Sequence, residues 1–283
     1  MIKRISAGEK EFITRGCEEN IRSDGRQILD FRPIVVENCI LPHVHGSSRV
    51  RIGSSMSVVA SVRMAVVECV ERKQFVDINT KISPSNVFKS DDLKLMDFES
   101  VVSDRLLLSL SNSDVFDEDG LCIIPGKFQW NITIDLVVLN MDTDPTDACS
   151  LAIYAALKCT KLPKHTLLKG ESGTDEDFEI SSHLGDAYSL PLKNELPVCL
   201  TCHKVWYAYC SAYALDKVCC AVLLPGHLTA PLSLFACSAL LCSCQIGSVF
   251  VLDCDCYEQA CASFGVLVAL DSKFNVCGVQ KLM

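Results

Sequence analysis

From Val218 to Leu252 the chain carries no Asp, Glu, Lys or Arg, although the protein as a whole is 22% charged. A run of that length can span a bilayer, which takes about 20 apolar residues. Against a membrane helix stand Pro225-Gly226 and Pro231, the polar His227, and many Ser and Cys. No basic flank sets an orientation. The expectation is therefore no membrane contact, with a membrane-anchored protein as a rival. Within residues 205–245 lie Cys210, Cys219, Cys220, Cys237, Cys242 and Cys244, but only Asp216 and Lys217 as charges.

The rest of the chain is of a different kind. Across all 283 residues, 49% are hydrophobic, enough for a substantial core. A net charge of −9 argues against an autonomous nucleic-acid binder, which needs a local surplus of Lys and Arg. The 18 cysteines suggest a disulfide scaffold at first. In the first two thirds, however, they are few and sit mostly in apolar runs, where a reduced Cys acts as a small hydrophobe. Met1-Ile-Lys-Arg4 is charged and no apolar run follows it, so the expectation is an intracellular, reduced chain.

Helices and strands alternate. Ser6-Ala-Gly-Glu9 fits a capping box, and Phe12, Ile13 and Cys17 share a helical face. Val50, Ile52, the turn Gly53-Ser54-Ser55 and the run 57–67 read as a β-hairpin. A second helix starts at Asp91 or Asp92, with Phe98, Val101, Val102 and Leu106 as its buried stripe. A strand over Asn131–Asn140 precedes a third helix that opens at Asp144-Pro145, Asp as N-cap and Pro in the first turn. Residues 171–179 read as an acidic, solvated loop. Strand-like runs return at 197–201, 249–252, 266–270 and 274–279. The pattern predicts an α+β fold with mixed sheets and packed helices.

Several motifs carry both chemical and bland readings. Cys199-Leu-Thr-Cys202-His203 matches a haem-attachment pattern by five residues, but in a strand of a chain without an export signal. Cys199, Cys202, Cys242 and Cys244 are suitable zinc ligands only if the fold closes across the uncharged stretch. His43 and His45 read as satisfied surface histidines. Asp253 and Asp255 are either acid/base or metal-binding carboxylates, or a solvated strand end. The expectation is no metal and no cofactor.

Longer segments carry a resemblance. Glu9-Lys-Glu-Phe-Ile-Thr-Arg-Gly16 is followed by Asn20-Ile-Arg22-Ser-Asp24-Gly25-Arg26 and Asp30-Phe-Arg32-Pro-Ile34. Gly46-Ser-Ser-Arg-Val-Arg-Ile-Gly53, Glu118–Lys127 and Asp147–Leu157 complete the set. Together they resemble the RNase PH-like subunits of the RNA exosome ring, nearest to the class that is inactive in archaea. Arg22, Asp24, Gly25, Arg26, Asp30, Arg32, Gly46 and Gly53 are the signature positions.

The resemblance implies an RNase PH-like fold, a ring shared with sibling and cap subunits, and RNA threaded through it. It implies no small-molecule substrate and a nuclear, nucleolar and cytoplasmic location. Active relatives release nucleotides from RNA 3′ ends with phosphate, held by an Arg beside a helix N-terminus. That position falls on Thr146, with Asp142, Asp144 and Asp147 crowded around it. Like charges near 4 Å repel by about 4 kcal/mol at a dielectric of 20, against a dipole contribution of about 1 kcal/mol. Of the acidic pair of active relatives, Asp253 matches the first member and neutral Gln259 the second. The expectation is a non-catalytic subunit, with a phosphate-dependent 3′–5′ exoribonuclease as the alternative. Arg105 matches an arginine that faces the RNA channel in archaeal relatives, while its usual companion falls on Leu108.

The likeness breaks after Lys204 and resumes at Ile246 with no residue lost. Val205 and Gln245 can be encoded by the usual ends of an intron. The domain is thus expected to be discontinuous, 1–204 and 246–283, with 205–245 a translated intron that loops out. A genuine insertion is the rival. The resemblance also implies a C-terminal helix after the last strand, which the sequence to Met283 is expected to lack.

Overall fold

The computed structural model describes residues 5–68, 75–83, 92–169, 175–181, 183–204, 243–246, 249–262, 264–271 and 275–282. Helix α1 (Ala7–Glu18) starts where the sequence predicts. The Glu9 N–H donates to Ser6 Oγ at 3.3 Å, and the Ser6 N–H donates to the Glu9 carboxylate at 2.7 Å. Its apolar face is narrower than expected. Cys17 is buried and Ile13 packs beside it, but Phe12 is 78% exposed. Neighbouring residues lie about 100° apart around a helix, and the small cluster of Cys17, Ile246, Val251 and Cys254 covers only one stripe.

The larger sheet comprises β1 (Ile34–Asn38), β2 (Gly46–Ile52), β3 (Met56–Glu68), β4 (Val76–Ile82) and β6 (Phe128–Asn140), with β5 (Cys122–Ile124) paired to β6. Strand order is β1-β2-β3-β6-β4, and β4 alone runs parallel to its neighbour on that path. Alternation sets the faces: Val76, Ile78, Thr80 and Ile82 point inward and the residues between them outward. Helix α2 (Asp92–Ser111) packs against β4. Its stripe runs Phe98, Val102, Leu106, Leu110 in steps of four, so Val101, expected inside, is exposed. Buried Glu99 on the same helix accepts the Ile82 N–H at 2.7 Å. Helix α3 (Glu118–Leu121) leads into β5.

The second sheet holds β11 (Val198–Lys204), β12 (Ser243–Ile246), β13 (Val249–Leu252), β14 (Phe264–Leu270) and β15 (Val276–Leu282), in the order β13-β12-β11-β14-β15. Helix α4 (Thr146–Cys159) packs on β2 and β3 of one sheet and on β11 of the other. Its Ala148, Cys149, Ala152 and Ala156 are fully buried, small enough for strands to approach on both sides. Gly46 marks the tightest approach. A Cβ there would lie 2.1 Å from Thr160 Oγ1 and 2.6 Å from the Ala156 carbonyl.

Two short pairs complete the chain: β7 (Lys161–Leu162) with β10 (Tyr188–Ser189), and β8 (His165–Lys169) with β9 (Asp175–Ile180). Strand β9 corrects the expected acidic loop from Asp175 onward. Phe178 stacks edge-on against Phe128 at 5.2 Å, which anchors the hairpin despite its charges. The α+β architecture with mixed sheets follows the expectation.

Residues 205–242, and with them most of the uncharged stretch, lie outside the described residues. Ser243-Cys-Gln245, expected to loop out, are instead strand: β12 pairs parallel to β11 at His203 and Lys204 and antiparallel to β13. Among the described residues no helix is long and apolar enough to cross a membrane, and no three His, Cys, Asp or Glu side chains converge as a metal site. Cys199, in both motif readings, is buried in the main core, where burial pushes its thiol up to about 11. His45 is held in place, its Nδ1 accepting the Met64 N–H at 3.2 Å.

Candidate functional site

After α1 the chain turns at Asn20 and Gly25, both at positive φ, and lays Arg22, Arg26 and Arg32 along the end of β13. Arg22 is buried. Its Nε and Nη2 fork onto Glu258 at 2.8 and 2.7 Å, and its remaining donors reach the carbonyls of Leu252 and Asp253 at 3.1 and 3.0 Å. Burial opposes its charge, but Glu258 more than compensates and holds the guanidinium above its ordinary value. Glu258 also caps helix α5 (Cys256–Cys261), accepting the Asp255 N–H at 2.9 Å. Asp255 accepts the N–H groups of Tyr257 and Glu258 at 2.9 and 2.8 Å. It is therefore a helix cap and not the partner of Asp253 in an acidic pair.

Asp253 sits at φ 46°, a backbone region that non-glycine residues seldom occupy. Its carboxylate accepts Arg32 Nε at 2.8 Å, Arg32 Nη2 at 2.7 Å, the Arg32 backbone N–H at 2.8 Å and Arg26 Nη1 at 2.9 Å. Burial alone would raise its pKa; the Arg32 bonds and the two positive charges bring it below the usual carboxylate range. Arg32 Nη1 continues to Asp142 at 2.7 Å, which also accepts Ser55 Oγ at 2.7 Å. Gly53 lets Arg32 pass, since a Cβ there would lie 3.0 Å from Arg32 Cδ.

At the start of α4, Asp144 accepts the Thr146 N–H at 3.0 Å and the Thr146 hydroxyl, while its other oxygen takes Arg105 Nη1 at 3.1 Å. Thr146 is fully buried. Asp147 accepts the Thr201 N–H at 3.0 Å and its hydroxyl at 2.8 Å, fastening α4 to β11. Asp144, Asp147, Asp253, Arg32, Thr201 and Gln259 all line one cavity of about 40 Å³, space for a few waters. The pocket is acidic, and its carboxylates are already occupied by donors of the same chain.

Residues 30–163 match the model of the 3′ exoribonuclease family, domain 1, RNase PH. Residues 30–163 are thus similar to the first domain of that family. The chain is 25% identical to a candidate exosome complex exonuclease, RRP42, of Dictyostelium discoideum over 99% of this chain and 88% of that one. It is 34% identical to the exosome complex component Rrp42 of Sulfurisphaera tokodaii over 55% of this chain and 58% of the relative. Among solved structures, an Archaeoglobus fulgidus exosome with RNA bound to the active site aligns with TM-score 0.63 at 22% identity, covering 97% of this chain and 87% of the other. An archaeal exosome core aligns with TM-score 0.60 at 21% identity, covering 97% and 84%. The last two show the fold.

Asp147, Asp253 and Gln259 line the acidic cavity, and Thr146 lies buried beside it. Of the signature residues, Arg22, Arg26 and Arg32 bind around Asp253, and Asp24 accepts Arg26 Nε at 2.6 Å. Asp30 accepts the Gln27 N–H at 2.9 Å and gives its carbonyl to Arg26. Gly46 and Gly53 provide the close approaches given above. Arg105, which the resemblance matches to a channel-facing arginine, is almost wholly buried and directs its guanidinium at Asp144. Sequence reasoning missed Glu258. The signal was present in Asp255-Cys-Tyr-Glu258, a capping box spelled with Asp.

Proposed function

We propose that this chain is a non-catalytic structural subunit of an RNA exosome ring. It supports 3′–5′ RNA processing and degradation, ribosomal RNA included, through assembly and RNA threading. Its partners are other RNase PH-like ring subunits and cap subunits, and its location is the nucleus, the nucleolus and the cytoplasm. The likeness to exosome components supports the assembly role.

One observation carries the non-catalytic role: the donors a phosphate ion needs at the acidic pocket are already taken. Arg32 is held by Asp253 and Asp142, and the Thr146 N–H by Asp144. An incoming anion must displace a carboxylate that remains in place and repels it. Gln259, neutral on α5, supplies no proton transfer, and the cavity's carboxylates, Asp144, Asp147 and Asp253, are each held by donors of the chain.

Two assays test the proposal. The full chain, expressed in cells with a tag, co-purifies with ring subunits. Incubated with RNA and inorganic phosphate, the purified chain releases no nucleoside diphosphates. Release that Asp253→Asn abolishes establishes the exoribonuclease alternative, and a chain found alone in cells removes the ring role.

A further inference from the structure

On the far side of α4 from the acidic pocket, two cysteines converge on one carbonyl. The Cys39 N–H donates to the Ser47 oxygen at 2.8 Å, and Cys159 Sγ donates to the same oxygen at 3.3 Å. The Cys159 thiol therefore lies beside the turn that carries Cys39. Both line an open groove of about 480 Å³, with His43, His45, Lys161 and His183 around it. Cys39 is exposed and Cys159 partly so. The frame beneath them is stiff: Asn38 is in register with Ser48, and the end of α4 rests on β2 at Gly46. Cys39 itself is held at φ 56°, a conformation that costs a non-glycine residue energy.

We propose that Cys39 and Cys159 are a redox pair that closes to an intramolecular disulfide under a peroxide. The Cys39 thiolate attacks one oxygen of hydrogen peroxide, the O–O bond breaks, and hydroxide leaves as water after taking a proton. The resulting sulfenic acid is displaced by the Cys159 sulfur: an S–S bond forms, the S–O bond breaks, and the second oxygen leaves as water with the Cys159 proton. Two thiols lose two electrons and the peroxide gains them. Cys39 leads because it is exposed. Cys159, partly exposed in the same groove and bonded to the same carbonyl, is the resolving thiol of the second, intramolecular step. The bond ties the segment after β1 to the end of α4 and fixes one wall of the groove.

The test is peptide mapping of the full-length chain, treated with hydrogen peroxide and then alkylated without reductant. The expected product is one cross-linked peptide joining Cys39 to Cys159, a loss of two hydrogens in mass, reversed by dithiothreitol. Cys39→Ser and Cys159→Ser each abolish it, with circular dichroism unchanged. Should Cys159→Ser fold poorly, Cys39→Ser and the unsubstituted chain still decide the matter. Cys39 linked to any other cysteine, over-oxidised to sulfinic acid, or left as a free thiol overturns the proposal.

Discussion

Arg32 and Asp253 lie 221 residues apart in sequence and meet as a fork, with Nε–Oδ2 at 2.8 Å and Nη2–Oδ1 at 2.7 Å. The Arg32 backbone N–H adds a third bond at 2.8 Å. The pair welds the segment after α1 to the end of β13. Its guanidinium occupies the position where a bound anion would otherwise find its counter-charge.

Arg32→Ala removes that weld and leaves Asp142 and Asp253 short of a partner. Breaking one side of a largely buried ion pair costs about 3–5 kcal/mol. Urea unfolding of the full chain should show a loss of that order. Arg32→Lys should recover only part of it, because an ammonium cannot span two carboxylates as a fork. A loss under about 1 kcal/mol in Arg32→Ala would mean that the pair is decorative.

Acid should reveal the same contact. The folded pKa of Asp253 lies below its unfolded value, so its stabilisation is complete above about pH 4 and fades as pH falls through the lower, folded value. Asp253→Asn lacks this contribution at neutral pH and has less to lose in acid. Its stability should therefore fall less steeply below about pH 4 than that of the parent chain. Parallel acid limbs in the two proteins would contradict the assignment.

Gly46→Ala should be among the most damaging single-methyl changes. The added carbon meets backbone at 2.6 Å as well as the Thr160 hydroxyl, and α4 cannot retreat without opening its contacts to β11. Overpacking of this kind costs about 1–3 kcal/mol, and more where backbone is the obstacle. Gly8→Ala, with nothing within 4 Å, is the control and should be neutral or slightly stabilising in thermal melts.

Removing Val205–Gln245 also removes most of β12. The chain then joins Lys204 to Ile246, and β13 must pair directly with β11 in a hairpin, where at present β12 intervenes. Loop length itself matters little, about 0.6 kcal/mol per doubling. The expected result is a folded chain with higher soluble yield, its amide exchange altered only along β11 and β13. Global unfolding on deletion would make the segment part of the core.

Local signals in the sequence were legible where one short-range rule decides. The Ser6–Glu9 box and the β2–β3 hairpin are of this type. The helix expected to open with Asp144 as cap starts one residue later, with Pro145 at the cap and Thr146 first in the helix, though Asp144 still accepts the Thr146 N–H. Helix faces were less so: Phe12 and Val101 belong to apolar runs, but only the neighbouring element determines which flank is covered. Strand β9 reads as loop from sequence because its acids outweigh the alternation of Phe178 and Ile180. At the site, Arg22, Arg32 and Asp253 were each singled out, but their union spans most of the chain, and no local pattern encodes a pairing of that range. Arg105 shows the same limit, since its burial depends on Asp144, a residue of another element.

Arg22 reaches Glu258 across 236 residues, and this has a consequence during synthesis. A ribosome adds about 5–20 residues per second, so the N-terminal arginines are exposed for roughly ten to fifty seconds before their carboxylates are made. Through that interval the first sheet can form, but the segment that closes it onto the second has nothing to bind. Newborn chains should thus carry a loose, cationic N-terminal strap, open to chaperones or to polyanions, until translation delivers Asp253 and Glu258.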